Sequence, residues 1–194
     1  MRYIVGIDEA GRGPLAGPVA VGAVKVREKY NKNQFRGVRD SKKLSPRERE
    51  RWFGMAHSAR KKGEIDFAVS LVSERVIDKK GIVYAINLGI KRCLEKLSVQ
   101  ENSKIFLDGG IRAPDSYPHQ ETVVKGDEKI PVISLASILA KVTRDRKMIR
   151  IAKKYPQYCF DIHKGYGTKR HCQVIRKYGL TEVHRRTFTK RLTK

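Results

Sequence analysis

The sequence lacks the features of several common protein classes. Its 194 residues include three cysteines, Cys93, Cys159 and Cys172, which form no Cys-x-x-Cys pair and have no histidine at zinc-ligand spacing. A disulfide framework or a zinc site is therefore not expected. No stretch approaches the ~18 consecutive apolar residues of a membrane span. Asp8 and Glu9 also interrupt the N-terminus before a secretory hydrophobic region could form, so we expect a cytoplasmic protein with reduced thiols.

Acidic residues are also scarce relative to basic ones. Twenty Asp and Glu stand against 43 Lys and Arg, which gives a formal net charge of +23. Such an excess suits a polyanionic partner, because neutralising phosphates releases condensed counterions. Nucleic acid is the expected partner. Charge alone fits an enzyme and a passive nucleic-acid-binding protein equally well.

The chain shows no internal repeat and no linker, and its length fits one domain over residues 1–194, since domains usually have ~100–200 residues. Apolar runs predict strands at 3–8, 18–26, 65–72, 104–108 and 121–124. Helices are predicted from the Ser45-Pro46 cap to near Gly63, over about 20 residues after 72, from Pro131 onward, and over 168–178. We expect an α/β fold with a central mixed sheet flanked by helices and a basic helical C-terminal part, roughly 163–194.

Carboxylates follow three of the predicted strands. Asp8 and Glu9 end the first strand, Asp108 ends a later one, and Asp127 follows the strand at 121–124. Buried acids are costly unless something binds them. Oxygen ligands without His or Cys suit Mg²⁺ or Mn²⁺, and two such ions ~3.5–4 Å apart can promote in-line phosphoryl displacement. Asp127 has alternatives, which are Asp115, Glu128 and Asp145.

A glycine-rich turn follows the first two acids. Gly11 and Gly13 would let backbone amides approach a ligand closely, and Arg12 can hold a phosphate. Tyr166 lies between two glycines in a basic context, where an aromatic ring can stack on a sugar or base.

Two further groups of polar residues could contact phosphate or be merely solvated. Ser41, Lys42 and Lys43 lie in a loop before the helix that starts near Pro46. Lys141 and Arg144 fall on the face of the helix after Pro131 that lies opposite its apolar positions. The spacing of these residues leaves both roles open.

Several of these segments together resemble the ribonuclease HII family. The blocks that carry the resemblance are 8–19 (DEAGRGPLAGPV), 40–44 (DSKKL), 107–109 (LDG), 125–127 (KGD), 136–145 (ASILAKVTRD) and 163–168 (HKGYGT). They recur in order over nearly the whole chain. The first block and the 136–145 block are highly specific, and Thr187 is a small departure where the family usually has serine.

The resemblance implies a ribonuclease H-like fold in which Asp8, Glu9, Asp108 and Asp127 hold two divalent ions. It implies that the Gly11–Gly13 turn recognises the ribose 2′-hydroxyl, largely through backbone groups, which fits the use of that hydroxyl to tell RNA from DNA. It further implies that Tyr166 stacks on the deoxyribose after the ribonucleotide. Cleavage is then expected on the 5′ side of the ribonucleotide, leaving a 3′-hydroxyl and a 5′-phosphate.

Other hypotheses remain at this stage. The sister ribonuclease HIII family usually has an extra N-terminal domain and lacks the glycine-arginine-glycine turn, so HII is favoured. A nuclease that needs several ribonucleotides is a second reading. A non-catalytic basic nucleic-acid-binding protein is a third, but it leaves the acids unexplained. We expect a monomer, and no sliding-clamp partner, because the last residues lack the glutamine-plus-aromatic docking motif.

Overall fold

The structure, a computed structural model, describes residues 2–31, 35, 37–38, 41 and 43–192. The strands are β1 Tyr3–Ala10, β2 Val19–Arg27, β3 Ile65–Val72, β4 Lys104–Asp108 and β5 Gln120–Val123. The helices are α1 Pro46–Lys61, α2 Glu74–Lys80, α3 Ile82–Lys96, α4 Gly126–Lys129, α5 Pro131–Lys154, α6 Phe160–His163, α7 Lys169–Tyr178 and α8 Arg186–Thr189, with a 3₁₀ turn at Pro156–Tyr158.

The five strands form one mixed sheet in the order β3-β2-β1-β4-β5. β1 pairs antiparallel with β2 and parallel with β4, and β5 continues the parallel half of the sheet. The predicted α/β class with a mixed central sheet is confirmed. Because β1, β4 and β5 run in the same direction, their carboxyl ends lie at one edge.

Helices cover both faces of this sheet. Val19 and Val21 of β2 pack in a cluster that includes residues of α3, whereas Val24 and Val26 pack in a cluster with residues of α1 and α5. β2 is therefore buried on both faces, which explains its nearly unbroken apolar sequence. A smaller cluster joins the end of α5 to the C-terminal helices.

Most predicted elements are present, with one clear error. The capping box at the start of α1 is confirmed: the Ser45 hydroxyl accepts from the Glu48 N–H, and the Glu48 carboxylate accepts from the Ser45 N–H. The single helix expected after residue 72 is wrong. The chain instead forms α2 and α3, separated at Gly81, whose φ of +87° is a left-handed conformation that ends a helix.

Within the described ranges, no helix is both long enough and apolar enough to cross a membrane. The three cysteines form no disulfide, and Cys93 is buried in the core.

Candidate active site

Three carboxylates meet at the carboxyl edge of the sheet. In the parallel β1–β4 pair, Ile7 lies opposite Leu107, so the next residues, Asp8 and Asp108, are neighbours. Asp127 reaches the same place from α4, directly after β5. Each of the three offers one oxygen atom, and these atoms all lie within 4.8 Å of one another. Asp8, Asp108 and Asp127 are called the acidic trio below.

Glu9 lies beside the trio but is not a member of it. Glu9 is the next residue of β1 after Asp8, and its carboxylate is near enough to Asp108 for the two charges to interact. The Glu9 carboxylate is half-buried and pairs with the Arg12 guanidinium at 3.6 Å. Burial raises the pKa of Glu9, the Arg12 charge opposes this, and the charge of Asp108 adds to it.

Asp8 is deeply buried at this edge, and its pKa is strongly shifted. Only 4% of its surface is exposed. Burial raises its pKa well above the ordinary value, and the charges of Glu9 and Asp108 add to the shift. Hydrogen bonds from the Ser137 side chain and from the Glu9 N–H favour the ionised form but are outweighed by burial.

Backbone groups orient the other two members of the trio. Asp108 accepts hydrogen bonds from the N–H of Gly126 at 2.7 Å and of Asp127 at 3.4 Å. The Ser134 hydroxyl on α5 donates to the carbonyl of Asp127 at 2.6 Å. The loop between β5 and α5 is thus held to the end of β4 by Asp108 itself.

The residues present fit a divalent cation. The donors are carboxylate oxygens, and no His or Cys of the described residues joins the trio, which matches the preference of Mg²⁺ and Mn²⁺. A cation at this position would also stabilise the charged form of Asp8, whose pKa is otherwise raised. The acids considered as alternatives to Asp127 lie in ion pairs elsewhere, Asp115 with Arg112, Glu128 with Lys43 and Asp145 with Lys141.

The serine and lysine of the loop before α1 have different environments. Ser41 is buried, and its hydroxyl lies 2.8 Å from that of Ser137, which in turn contacts Asp8. Ser41 therefore contacts the trio indirectly, through Ser137, and does not face solvent. Lys43 is exposed and pairs with Glu128 at 3.0 Å. Lys42, predicted as a phosphate contact, lies outside the described residues.

The glycine-rich turn after β1 closely approaches α5. Gly11 has a φ of +91°, and a Cβ at this position would lie 2.0 Å from Nε of Arg144. A side chain here is therefore excluded twice, by backbone conformation and by space. Gly13 is exposed, with open space around its Cα.

Arg144 does not lie where its helical position predicted. It is fully buried rather than solvent-facing, because the turn and the residues after it cover that face of α5. Its Nε donates to the carbonyl of Pro18 at 2.9 Å and one Nη to that of Ala16 at 3.2 Å. The other Nη is the one guanidinium nitrogen among the described residues that is buried without a hydrogen-bond partner.

A second buried arginine, not identified from the sequence, holds the turn from its other side. Arg185 donates from Nε to the carbonyl of Gly17 and from its two Nη atoms to those of Arg12 and Gly11, at 2.7 to 2.9 Å. Burial lowers the pKa of Arg185 to about 9, and the neighbouring charge of Arg144 contributes. The available signal was its place two positions before Thr187, in a segment that also resembles the family.

Tyr166 lies close to this turn and is accessible. Its surface is 43% exposed, and its ring centroid lies 5.8 Å from the Arg144 guanidinium carbon and 5.8 Å from Nζ of Lys141. Lys141 is half-buried and also pairs with Asp145 at 2.9 Å. The Leu15 N–H donates to the Gly165 carbonyl at 2.8 Å, which joins the tyrosine loop to the turn.

The matching family model and the curated relatives agree on one family. The model of the family described as Ribonuclease HII matches residues 5–191. The chain is 44% identical to Ribonuclease HII of Caldicellulosiruptor bescii, over 98% of this chain and 88% of that protein.

Two solved structures resemble the fold over nearly its full length. The ribonuclease H2 from Pyrococcus horikoshii has a TM-score of 0.72 and 28% identity, covering 99% of both chains. The RNase HII of a PCNA:RNase HII complex from Archaeoglobus fulgidus has a TM-score of 0.75 and 26% identity, covering 98% of this chain and 97% of that one.

Proposed function

The chain belongs to the ribonuclease HII family and is thus a metal-dependent ribonuclease H enzyme; on that premise we propose that it hydrolyses the phosphodiester bond 5′ of ribonucleotides embedded in duplex DNA or RNA/DNA hybrids. One observation carries the proposal. The acidic trio lies at the end of β1, and the Gly11–Gly13 turn follows it within the same segment. A reacting phosphate and the adjacent sugar would therefore be bound by neighbouring residues.

Asp8, Asp108 and Asp127, with Glu9 beside them, would hold two divalent ions, Mg²⁺ or Mn²⁺. When bound, these ions supply activation of a water and stabilisation of the departing 3′-oxygen. The carboxylates would bind and orient the ions. The Ser137 hydroxyl contacts Asp8 and is itself contacted by Ser41, so the two serines would hold Asp8 in place. The expected products are a 3′-hydroxyl and a 5′-phosphate.

The turn would recognise the ribose. Gly13 is exposed and lacks a side chain, so backbone groups there are accessible to a 2′-hydroxyl. Arg12 is half-exposed beside Glu9 and would contact an adjacent phosphate. The carbonyls of Gly11 and Arg12 already accept from Arg185, so recognition of the 2′-hydroxyl would fall to the amide groups of the turn and to any remaining lone pairs.

Tyr166 would test the next sugar. Its exposed ring lies near the turn, and a deoxyribose offers an apolar face for stacking that a 2′-hydroxyl would disturb. This requirement selects a ribonucleotide followed by a deoxyribonucleotide.

Phosphate contacts would come from Lys141, Lys43 and Lys42. For Arg144 and Ser41, whose side chains are buried, we propose support of the turn and of Asp8 in place of direct phosphate contact. The net charge of +23 adds long-range attraction, and binding should weaken steeply with salt. The protein would act as a monomer in the cytoplasm, in ribonucleotide removal and RNA primer degradation.

The test is product mapping on a duplex DNA that carries one ribonucleotide, with Mg²⁺, Mn²⁺ or EDTA. We expect a cut immediately 5′ of the ribonucleotide with either metal and no cut with EDTA. Cleavage only of hybrids with several ribonucleotides would support the metal site but contradict recognition of a single ribonucleotide followed by a deoxyribonucleotide. Tight binding without any cleavage would favour the basic nucleic-acid-binding alternative.

A further inference from the structure

Three buried histidines form a cluster that contacts the backbone of the Gly165–Tyr166 segment, and the proposed chemistry uses none of them. His163, His171 and His184 have exposed fractions of 9%, 0% and 2%. The rings of His163 and His171 stack at 4.4 Å between centroids, and His184 follows at 5.3 Å from His171.

The partners of two of these rings define their tautomers. Nδ1 of His184 accepts from the Thr181 N–H at 2.9 Å, so its proton is on Nε2. That Nε2 lies 3.1 Å from Nε2 of His171, which must then accept. The proton of His171 is therefore on Nδ1, which donates to the carbonyl of Tyr166 at 2.9 Å. A directed chain of hydrogen bonds runs from Thr181 to the backbone of Tyr166.

His163 holds the residue before the tyrosine. Its Nδ1 accepts from the Gly165 N–H at 3.2 Å, and its Nε2 donates to the Tyr158 carbonyl at 2.7 Å. Gly165 in turn accepts from the N–H of Leu15. Ring nitrogens therefore bind the backbone at the Gly165 N–H and at the Tyr166 carbonyl, and the same segment is joined to the turn.

This chain of hydrogen bonds requires uncharged imidazole rings. A protonated imidazole has two donors and no acceptor, so it would direct an N–H at the Thr181 N–H or at the neighbouring ring. Burial lowers the pKa of His171 and of His184 to about 4, and it lowers the pKa of His163 as well. The rings are therefore neutral at physiological pH.

We propose that His171 and His184 are positioning residues that fix the Tyr166 backbone, and hence its ring, for recognition of the sugar after the ribonucleotide. The inference rests on the role of Tyr166 in the proposed function. The residues act through Tyr166 and touch neither substrate nor metal. A purely structural role would stabilise the C-terminal part without affecting which substrate is preferred.

The test compares single-turnover cleavage of a single-ribonucleotide duplex with that of a long RNA/DNA hybrid. We expect His171→Leu to lower the ratio of the two rates about tenfold, below the ~10²-fold that a 1 Å misplacement can cost. His171→Asn retains an N–H donor near the Nδ1 position and should keep most of the ratio. His119→Leu, at an exposed histidine outside the cluster, is the matched control and should leave both rates unchanged.

A double variant separates this inference from the proposed function. If His171 acts through Tyr166, His171→Leu should cause no further loss of the ratio in a Tyr166→Ala background. A Tyr166→Ala variant with an unchanged ratio would refute the proposed role of Tyr166. A reduced ratio in Tyr166→Ala, with equal losses on both substrates in His171→Leu, would overturn the positioning inference alone.

A measurement on the unmodified protein covers the case in which His171→Leu does not fold. Imidazole ¹⁵N shifts at pH 7 should show two neutral rings of opposite tautomer, with the proton on Nδ1 in His171 and on Nε2 in His184. A charged ring, or the same tautomer in both, would contradict the chain.

Discussion

Two groups of ionisable side chains meet the segment around the end of β1: the acidic trio at Asp8, and the buried Arg144 and Arg185 at the residues that follow. Five backbone carbonyls, those of Gly11, Arg12, Ala16, Gly17 and Pro18, accept from Arg144 and Arg185. Those guanidinium groups therefore bind the protein itself. Asp8 has hydrogen-bond partners too, yet burial and neighbouring acids still raise its pKa.

The difference separates two kinds of buried charge. A charge matched by backbone dipoles maintains a shape, because removing it leaves several carbonyls without a donor. A carboxylate whose ionised form is disfavoured by its own protein requires a ligand to stabilise that form. Burial also lowers the pKa of Arg185 to about 9, but its guanidinium donates to three backbone carbonyls, whereas the three carboxylates lie within 4.8 Å of one another. On the proposed function, the acids would be the reactive part of the site and the arginines its support.

The largest effect should come from the acids. Asp8→Asn keeps the size of the side chain but removes the charge of a proposed metal ligand, so we expect cleavage to fall by ~10³-fold or more, equivalent to ~4 kcal/mol of transition-state stabilisation. Without metal, its thermal midpoint should not fall, because repulsion with Glu9 and Asp108 is removed. Asp115→Asn, at an exposed acid, is the control for both measurements. Retained turnover in Asp8→Asn would remove Asp8 from the site.

An intermediate effect should come from the arginine support. Arg185→Lys keeps the charge but cannot reach three carbonyls, so we expect a loss of about 3 kcal/mol in the free energy of unfolding. Urea unfolding measures this loss, with the neighbouring exposed Arg186→Lys as control. Equal stability of the two variants would show that the carbonyls of the turn do not depend on Arg185.

The smallest effect should come from pH acting on the histidine chain. The pKa of His171 and of His184 is about 4 in the folded protein and ordinary when unfolded, so the unfolded chain takes up protons first as pH falls. The free energy of unfolding should therefore decrease as pH falls from about 6.5 toward 4. Between pH 7 and 5.5 the decrease should be about 1 kcal/mol per histidine.

Urea unfolding at pH 7 and 5.5 tests this expectation, with His171→Asn compared against wild type. The variant should lose about 1 kcal/mol less than wild type over this interval, since one titrating ring is gone. His119→Leu should keep the wild-type dependence. If the free energy of unfolding of the wild type and of both variants rises by the same amount on acidification, the assignment is contradicted.

The parts of the fold that local pattern controls were predictable. Apolar runs located β3 and β4 within their observed bounds, and the Ser45 capping box marked the start of α1. The acids could be grouped because the ends of parallel strands share an edge. The apolar spacing predicted one helix where the structure has α2 and α3. Apolar spacing does not reveal that Gly81 has a positive φ, which separates the two helices.

Long-range contacts explain what the sequence could not predict. Arg144 is on the polar face of α5 by helical position, but residues 126 and 128 positions earlier cover it. The hydroxyl contact of Ser41 with Ser137 spans 96 positions. Substitution of Thr187 for the usual serine is harmless in this structure, because its hydroxyl donates to Asp78 at 2.6 Å as a serine could.

The hydrogen bonds from Arg185 to the turn also determine the order in which parts of the site can form during synthesis. Arg185 and Gly11 are 174 positions apart, and translation at ~5–20 residues per second separates their appearance by roughly 9 to 35 s. A nascent chain thus contains all three carboxylates of the trio, and Arg144, before Arg185 is made. On the proposed function, the growing polypeptide would gain discrimination between sugars last, after the capacity to bind metal.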